Sequence, residues 1–283
     1  MAKNKKPYRV DRRDVERGRL SILRDLLYTT LRFIARHIKG FWGAIVAFLT
    51  IGTIVGLIAA GAFALIALAV TGGLTQTFDE AVLEWLATHR SPRLDEFMAD
   101  VTSLGDGIVL IVLIAVASVF LWQTRHHWSV YLLLVSVIGG NVLNELLKRI
   151  FERPRPSIVE AIDIVHSASF PSGHAMTSFV AYGSVAYLVA RLEPTPRLRR
   201  TTWALAALII LAIGVSRMYL GVHYPSDVIA GFVGGLAWLT FVAAAMTALR
   251  FFSYRRPETR AEEAGLDQPQ ASTPIPAASI EER

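Results

Sequence analysis

Two histidines, three spaced cations and one carboxylate stand at the ends of strongly apolar segments in this chain. They fall in three stretches, 148–156 (KRIFERPRP), 171–174 (PSGH) and 216–227 (SRMYLGVHYPSD). Charge that close to hydrocarbon is costly and usually functional. Two histidines with fixed cations and an acid suit covalent transfer of a phosphoryl group, so the spacing can be read as a reaction.

His223 is the candidate nucleophile, attacking phosphorus to give a phosphohistidine. Asp227, four residues on, can hold its ring in one tautomer and stabilise its cation. His174 is placed to protonate the leaving oxygen and then to activate water. Both tasks suit an imidazole, whose ordinary pKa of about 6.5 lies near working pH. Lys148, Arg155 and Arg217 supply positive charge for a phosphate and its transition state. Ser172 and Gly173 open a helix, and its unpaired N–H groups and dipole favour an anion. Three cations can replace a metal clamp, so neither metal nor cofactor is expected.

The elements that position these residues must be membrane helices. Of the 283 residues, 53% are hydrophobic and 18% charged, and residues 41–70 carry no charge. A span needs roughly 20 apolar residues. The sequence predicts an all-α protein, a six-transmembrane-helix bundle with helices at about 41–70, 108–123, 128–147, 172–190, 202–219 and 226–249. The first run begins behind a long charged segment without a suitable cleavage site, and so reads as a retained signal anchor. No cysteine is present, which excludes disulfides, thiolate nucleophiles and Cys-ligated metals.

Charge then sets the expected orientation. Residues 1–40 hold twelve Lys/Arg against four acids, a net +8 in a chain of net +6. This reads as a basic cytoplasmic flank, and no aromatic platform or motif supports nucleic-acid binding. With the N-terminus inside, twenty Lys/Arg fall on inner segments and seven on outer ones. Both termini are therefore expected in the cytoplasm, with the site at the outer helix ends, facing the periplasm or cell exterior of an inner (plasma) membrane protein. The membrane domain is expected over 41–250 and a disordered cytoplasmic tail over 251–283. Within 71–107, Phe78, Val82, Leu83, Trp85 and Leu86 have the spacing of an amphipathic helix lying at the outer interface.

Other polar residues receive plainer readings. Arg149 and Arg153 fall between the key cations and are expected to face solvent or headgroups. Glu145 is expected to pair with Lys148. Asn141 and Asn144 are expected to hydrogen-bond between helices, and the pairs Gly52/Gly56 and Gly231/Gly235 to let helices approach closely. His166 has no matched partner, and His126 and His127 are placed on the inner side.

The three stretches match without a gap the signature of the type 2 phosphatidic acid phosphatase family, which the chain resembles. Its pattern, K-x6-R-P, P-S-G-H and S-R-x5-H-x3-D, is met by Lys148 to Arg155–Pro156, by Pro171 to His174, and by Ser216–Arg217 to His223 to Asp227. The match covers 148–227 directly, and the helix count extends it to 41–249. The resemblance implies metal-independent dephosphorylation of a membrane lipid phosphate or diphosphate through phosphohistidine, with the roles given above. Undecaprenyl diphosphate, phosphatidylglycerol phosphate and phosphatidic acid are the substrate types it suggests. Soluble acid phosphatases and vanadate haloperoxidases share the pattern, but a six-span chain without a long soluble domain argues against both. A phosphotransferase passing the group to another lipid stays open, and inverted repeats, which would favour a transporter of anionic lipid or phosphate, are not evident. Oligomeric state stays open as well.

Overall fold

The computed structural model describes residues 41–162 and 167–253. The basic segment 1–40, His166 and nearly all of the expected tail lie outside the described residues. Every regular element described is an α-helix: α1 (Phe41–Thr71), α2 (Gln76–Ala87), α3 (Pro92–Ser103), α4 (Gly107–Gln123), α5 (His127–Phe151), α6 (Gly173–Leu192), α7 (Pro196–Tyr219) and α8 (Pro225–Ser253).

Five of these, α1 and α5 to α8, are long and apolar enough to cross a membrane. The expected second span is α4, whose 17 residues reach only about 25 Å against a hydrocarbon core of about 30 Å. It has the length and apolar character of a sixth crossing only when taken together with α3, across a bend of 42°.

Two expected boundaries shift. The third span continues past 147 to Phe151, so Lys148 and Arg149 occupy its last turn, where cations complement the helix dipole. The fifth begins at Pro196 rather than 202. Thr195 Oγ1 accepts from the Leu198 N–H at 3.3 Å and Pro196 pre-sets the first turn. Arg197, Arg199 and Arg200 hid this start, but their side chains are exposed and cost the helix little.

Lipid offers no hydrophobic drive between helices, so close backbone approach must hold them together. α1 packs along α8, and α6 packs against α5, α7 and α8. A Cβ on Gly56 would lie 3.0 Å from Thr240 Oγ1, and one on Gly231 only 2.8 Å from the Ser172 carbonyl oxygen. The glycine pairs therefore serve packing within the chain. Gly231 lets α8 reach the start of α6, where the Ser172 N–H donates to the Asp227 carbonyl at 3.0 Å. Leu57, Ile58, Leu65 and Leu68 of α1 stay exposed, as a lipid-facing surface requires.

Helices α2 and α3 cover one end of this bundle. Leu86, Leu94 and Met98 pack on buried Tyr219, Leu220 and Val222 where α7 ends. Tyr219 donates to Asp95 Oδ1 at 2.6 Å, and Arg90 Nη2 donates to the Tyr219 carbonyl at 2.8 Å. The expected amphipathic helix exists as α2, with Leu83 buried and Phe78 and Trp85 exposed. It does more than lie at a boundary, because its Asp79 is buried in the cluster described next.

Candidate active site

All eight sequence-derived site residues lie at the end of the bundle that α2 and α3 cover. They come from the C-terminal ends of α5 and α7, the N-terminal ends of α6 and α8, and the adjoining loops. His223 follows α7 through a turn in which Gly221 has φ of 74°, a left-handed conformation that favours glycine. The ring is buried at 2% exposure.

The two nitrogens of His223 face opposite demands. Nε2 lies 3.2 Å from Arg155 Nη1, which can only donate, so Nε2 is the acceptor. The ring proton therefore sits on Nδ1, which is 3.6 Å from Asp227 Oδ2 and 3.4 Å from Ser169 Oγ. Burial pushes the His223 pKa down to about 4; Asp227 opposes this, and Arg155 and Arg217 add to it. Near neutrality the ring is uncharged, with a lone pair on Nε2 turned toward the cations.

Arg155 is held as a fixed donor. Its Nε donates to the Ser167 carbonyl at 2.8 Å, Nη1 to the Val222 carbonyl at 2.6 Å and Nη2 to Ser167 Oγ at 3.2 Å. Lys148 Nζ donates to the same hydroxyl at 2.9 Å. A Cβ on Gly173 would come within 3.6 Å of Lys148 Nζ, so this ammonium stands over the start of α6. Ser172 caps that helix, its buried Oγ accepting from the Ala175 N–H at 3.5 Å. Arg217 is buried on α7 and its Nη1 donates to Thr102 Oγ1 of α3 at 2.9 Å. His174 is partly exposed, and its Nε2 meets Asp106 Oδ1 at 3.0 Å. Together these residues offer a neutral nucleophile, anion donors and a second histidine beside a carboxylate.

Arg153 departs from its expected place. Its side chain is only 9% exposed and bridges two fully buried carboxylates, Asp227 Oδ1 at 2.6 Å and Asp79 Oδ2 at 2.9 Å. Burial works against its charge, but Asp227 and Asp79 outweigh burial and hold its pKa above the ordinary value. The backbone explains the turn inward. Glu152 ends α5 in a left-handed conformation, φ 42°, and Pro154 bars further helix, so Arg153 leaves the helix surface. Arg149, still helical, points outward and pairs with Glu145 at 3.3 Å. Glu145 thus bonds its i+4 neighbour rather than Lys148. Asn144 does sit between helices, 3.5 Å from Met176 Sδ, whereas Asn141 bonds the Val137 carbonyl of its own helix.

Sequence reasoning also missed Asp79, Ser169, Ser167 and Asp106. Ser169 Oγ donates to Asp227 Oδ2, which also accepts from the Tyr224 N–H at 2.9 Å. One available signal was position. Asp106 directly precedes an apolar run at the end of the bundle that carries the motifs.

The chain is similar to known proteins in sequence and fold. The family model described as PAP2 superfamily matches residues 129–251. Phosphatidylglycerophosphatase B of Bacillus subtilis is 35% identical over 177 residues, 62% of this chain and 86% of that protein. The undecaprenyl-diphosphatase of Bacillus subtilis is 31% identical over 150 residues, 52% of this chain and 72% of that one. Among solved structures, the transmembrane PAP2 type phosphatidylglycerolphosphate phosphatase from Bacillus subtilis aligns with a TM-score of 0.64 at 30% identity, covering 71% of this chain and 97% of that one. With one relative matched over most of its length and the three motifs gathered at one end of a shared helical fold, the chain belongs to the PAP2 superfamily.

Proposed function

We propose that this protein is an integral membrane hydrolase that removes phosphate from a lipid phosphate or diphosphate through a phosphohistidine at His223. The observation that carries the reading is the buried His223 ring, with Nε2 3.2 Å from the Arg155 guanidinium and Nδ1 3.6 Å from Asp227. In the first step Nε2 forms a bond to phosphorus as the bond to the lipid oxygen breaks. His174 gives its proton to that leaving oxygen. In the second step His174 takes a proton from water, the water oxygen attacks phosphorus and the N–P bond breaks. Inorganic phosphate leaves, and Nε2 regains its lone pair. Lys148, Arg155, Arg217 and the start of α6 neutralise the charge that builds on the phosphoryl oxygens.

A lipid fits the surroundings. An apolar cavity of about 420 Å³ runs between α1, α5 and α8, lined by residues that include Ala60, Phe63, Leu147, Trp238 and Phe241. Its Leu147 directly precedes Lys148, and Phe63 packs on Phe170 beside the PSGH turn, with ring centroids 5.8 Å apart. The phosphate would lie among the cations with the chain leaving toward this cavity. The relatives named above act on a phosphatidylglycerol phosphate and on undecaprenyl diphosphate, so these head the substrates to test.

Purified protein is expected to release phosphate from phosphatidylglycerol phosphate, a prenyl diphosphate or phosphatidic acid at undiminished rate in excess chelator. Its kcat/KM on the preferred lipid should exceed that on a short soluble ester by at least about 10²-fold, because each methylene removed from water contributes about 0.8 kcal/mol. Loss of release in chelator would reject metal independence, and equal rates on the soluble ester would reject the lipid assignment.

The proposed orientation puts both termini in the cytoplasm and the site on the outer face, as the excess of inner Lys/Arg favours. The chain has no cysteine, so one introduced at exposed Ser157 reports directly. A membrane-impermeant maleimide should label Ser157→Cys in intact cells. Labelling only after the membrane is opened would overturn the orientation.

A further inference from the structure

We propose that Arg153 and Asp79 act as a pair of positioning residues, holding Asp227 in register with His223 and controlling how much negative charge that ring sees. The proposal rests on His223 as nucleophile. It adds two residues outside the eight of the motif reading, one of them from the segment 71–107.

The geometry is that of one cation clamped between two acids. Arg153 Nη1 donates to Asp227 Oδ1 and, at 2.8 Å, to Ser226 Oγ. Nη2 donates to Asp79 Oδ2 and, at 3.3 Å, to Gln76 Oε1. The guanidinium also lies over the Tyr224 ring, 4.1 Å from its centroid. Asp79 in turn accepts from the Ser226 N–H at 2.9 Å and from Ser226 Oγ, fixing the residue next to Asp227. A rigid fork in this setting dictates where both Asp227 oxygens point. With Oδ1 taken by Arg153, Oδ2 is left for Ser169, the Tyr224 N–H and His223 Nδ1.

Charge follows from the same contacts. His223 is faced by Asp227 from α8, Arg217 from α7, and Arg155 and the Ser169 hydroxyl from the loop between α5 and α6. The carboxylate of Asp227 favours a second proton on the ring, and a doubly protonated ring has no lone pair to attack with. Arg153 takes up part of that negative charge and so limits how far Asp227 offsets the burial that holds the ring neutral. Asp79 takes up part of the charge of Arg153, so the two acids hold Arg153 in balance. Because Asp79 lies on α2, that helix is part of the apparatus that sets the nucleophile.

Opposite pH shifts test this. Arg153→Gln should lower kcat by about 10²-fold, the scale of a small misplacement of a reacting group, with KM within about twofold. It should also move the acid limb of kcat/KM upward by about one pH unit. Asp79→Asn, whose amide oxygen can still accept from Arg153 and Ser226 Oγ while the Ser226 N–H loses its acceptor, should move the same limb downward. Ionisation of the substrate is common to all variants and cancels in the comparison. Unmoved limbs, or shifts in the same direction, would overturn the proposal. So would a raised KM with kcat retained in Arg153→Gln, which would mean that Arg153 binds phosphate itself. If Arg153→Gln does not fold, the direction of the Asp79→Asn limb decides alone. His223→Asn is run alongside: its full activity would defeat the nucleophile reading, whereas an inactive His223→Asn with unmoved limbs would defeat only this proposal.

Discussion

His223→Asn is expected to lose phosphate release by at least about 10⁴-fold, the scale on which removal of a covalent nucleophile acts. The amide has no lone pair able to form the N–P bond, and no other described residue of the site replaces it. His174 is occupied with Asp106 at 3.0 Å, and Lys148, Arg155 and Arg217 are cations. The proposed phosphate clamp of Lys148, Arg155 and Arg217 is untouched, so binding of an unreacted lipid should be retained while turnover is lost. Release of phosphate from purified variant in detergent, followed with the lipid that the wild type prefers, makes the comparison. Activity within tenfold of wild type would sink the assignment.

Asp227→Asn is expected to be nearly as damaging, lowering kcat by about 10³- to 10⁴-fold. An acid that fixes a catalytic imidazole's tautomer acts on this scale. Here the reason is visible in the contacts. Asp227 Oδ2 accepts from Ser169 Oγ and the Tyr224 N–H and faces His223 Nδ1–H. An amide NH2 turned that way would meet three donors. Turned the other way it meets Arg153, a donor as well. With the NH2 turned toward His223, the ring proton is driven to Nε2, where it blocks the attacking lone pair. With it turned the other way, the amide oxygen still accepts from Nδ1–H, but the counter-charge that stabilises the ring cation is gone. Arg153 also loses one of its two counter-charges, and stability should fall by roughly 1–3 kcal/mol for the unmet buried partner. Thermal melting in detergent measures the second effect apart from the first. A folded Asp227→Asn that keeps a tenth of the activity would contradict the role.

The all-helical membrane fold and the family were legible because they depend on long-range composition and fixed local spacing. An uncharged run such as 41–70 allows few structures, and K-x6-R-P, P-S-G-H and S-R-x5-H-x3-D are local patterns. What stayed hidden depended on where the chain turns. Arg149 and Arg153 are both arginines between the two key cations, yet one faces out from a helix and the other drops into the core. The difference is the left-handed Glu152, which sequence does not announce at a non-glycine residue. Asp79 sits amid many acids in 71–107, and composition alone marks that segment as surface. Only the docking of α2 against the start of α8 shows that one of those acids is buried. The second expected span is the least regular for a related reason: α4 alone is short, and it reaches the length of a crossing only when taken with α3 across a 42° bend that hydropathy cannot see.

The most direct test of the central claim is to trap the phosphorylated enzyme. Protein mixed with lipid carrying a labelled terminal phosphate, quenched in base within one turnover, should hold an acid-labile, base-stable phosphate on the peptide that contains His223. The label should be absent from His223→Asn and should persist longer in His174→Asn, which cannot activate water for the second step. Turnover by the wild type with no label on His223, or with label on another residue, would contradict the account.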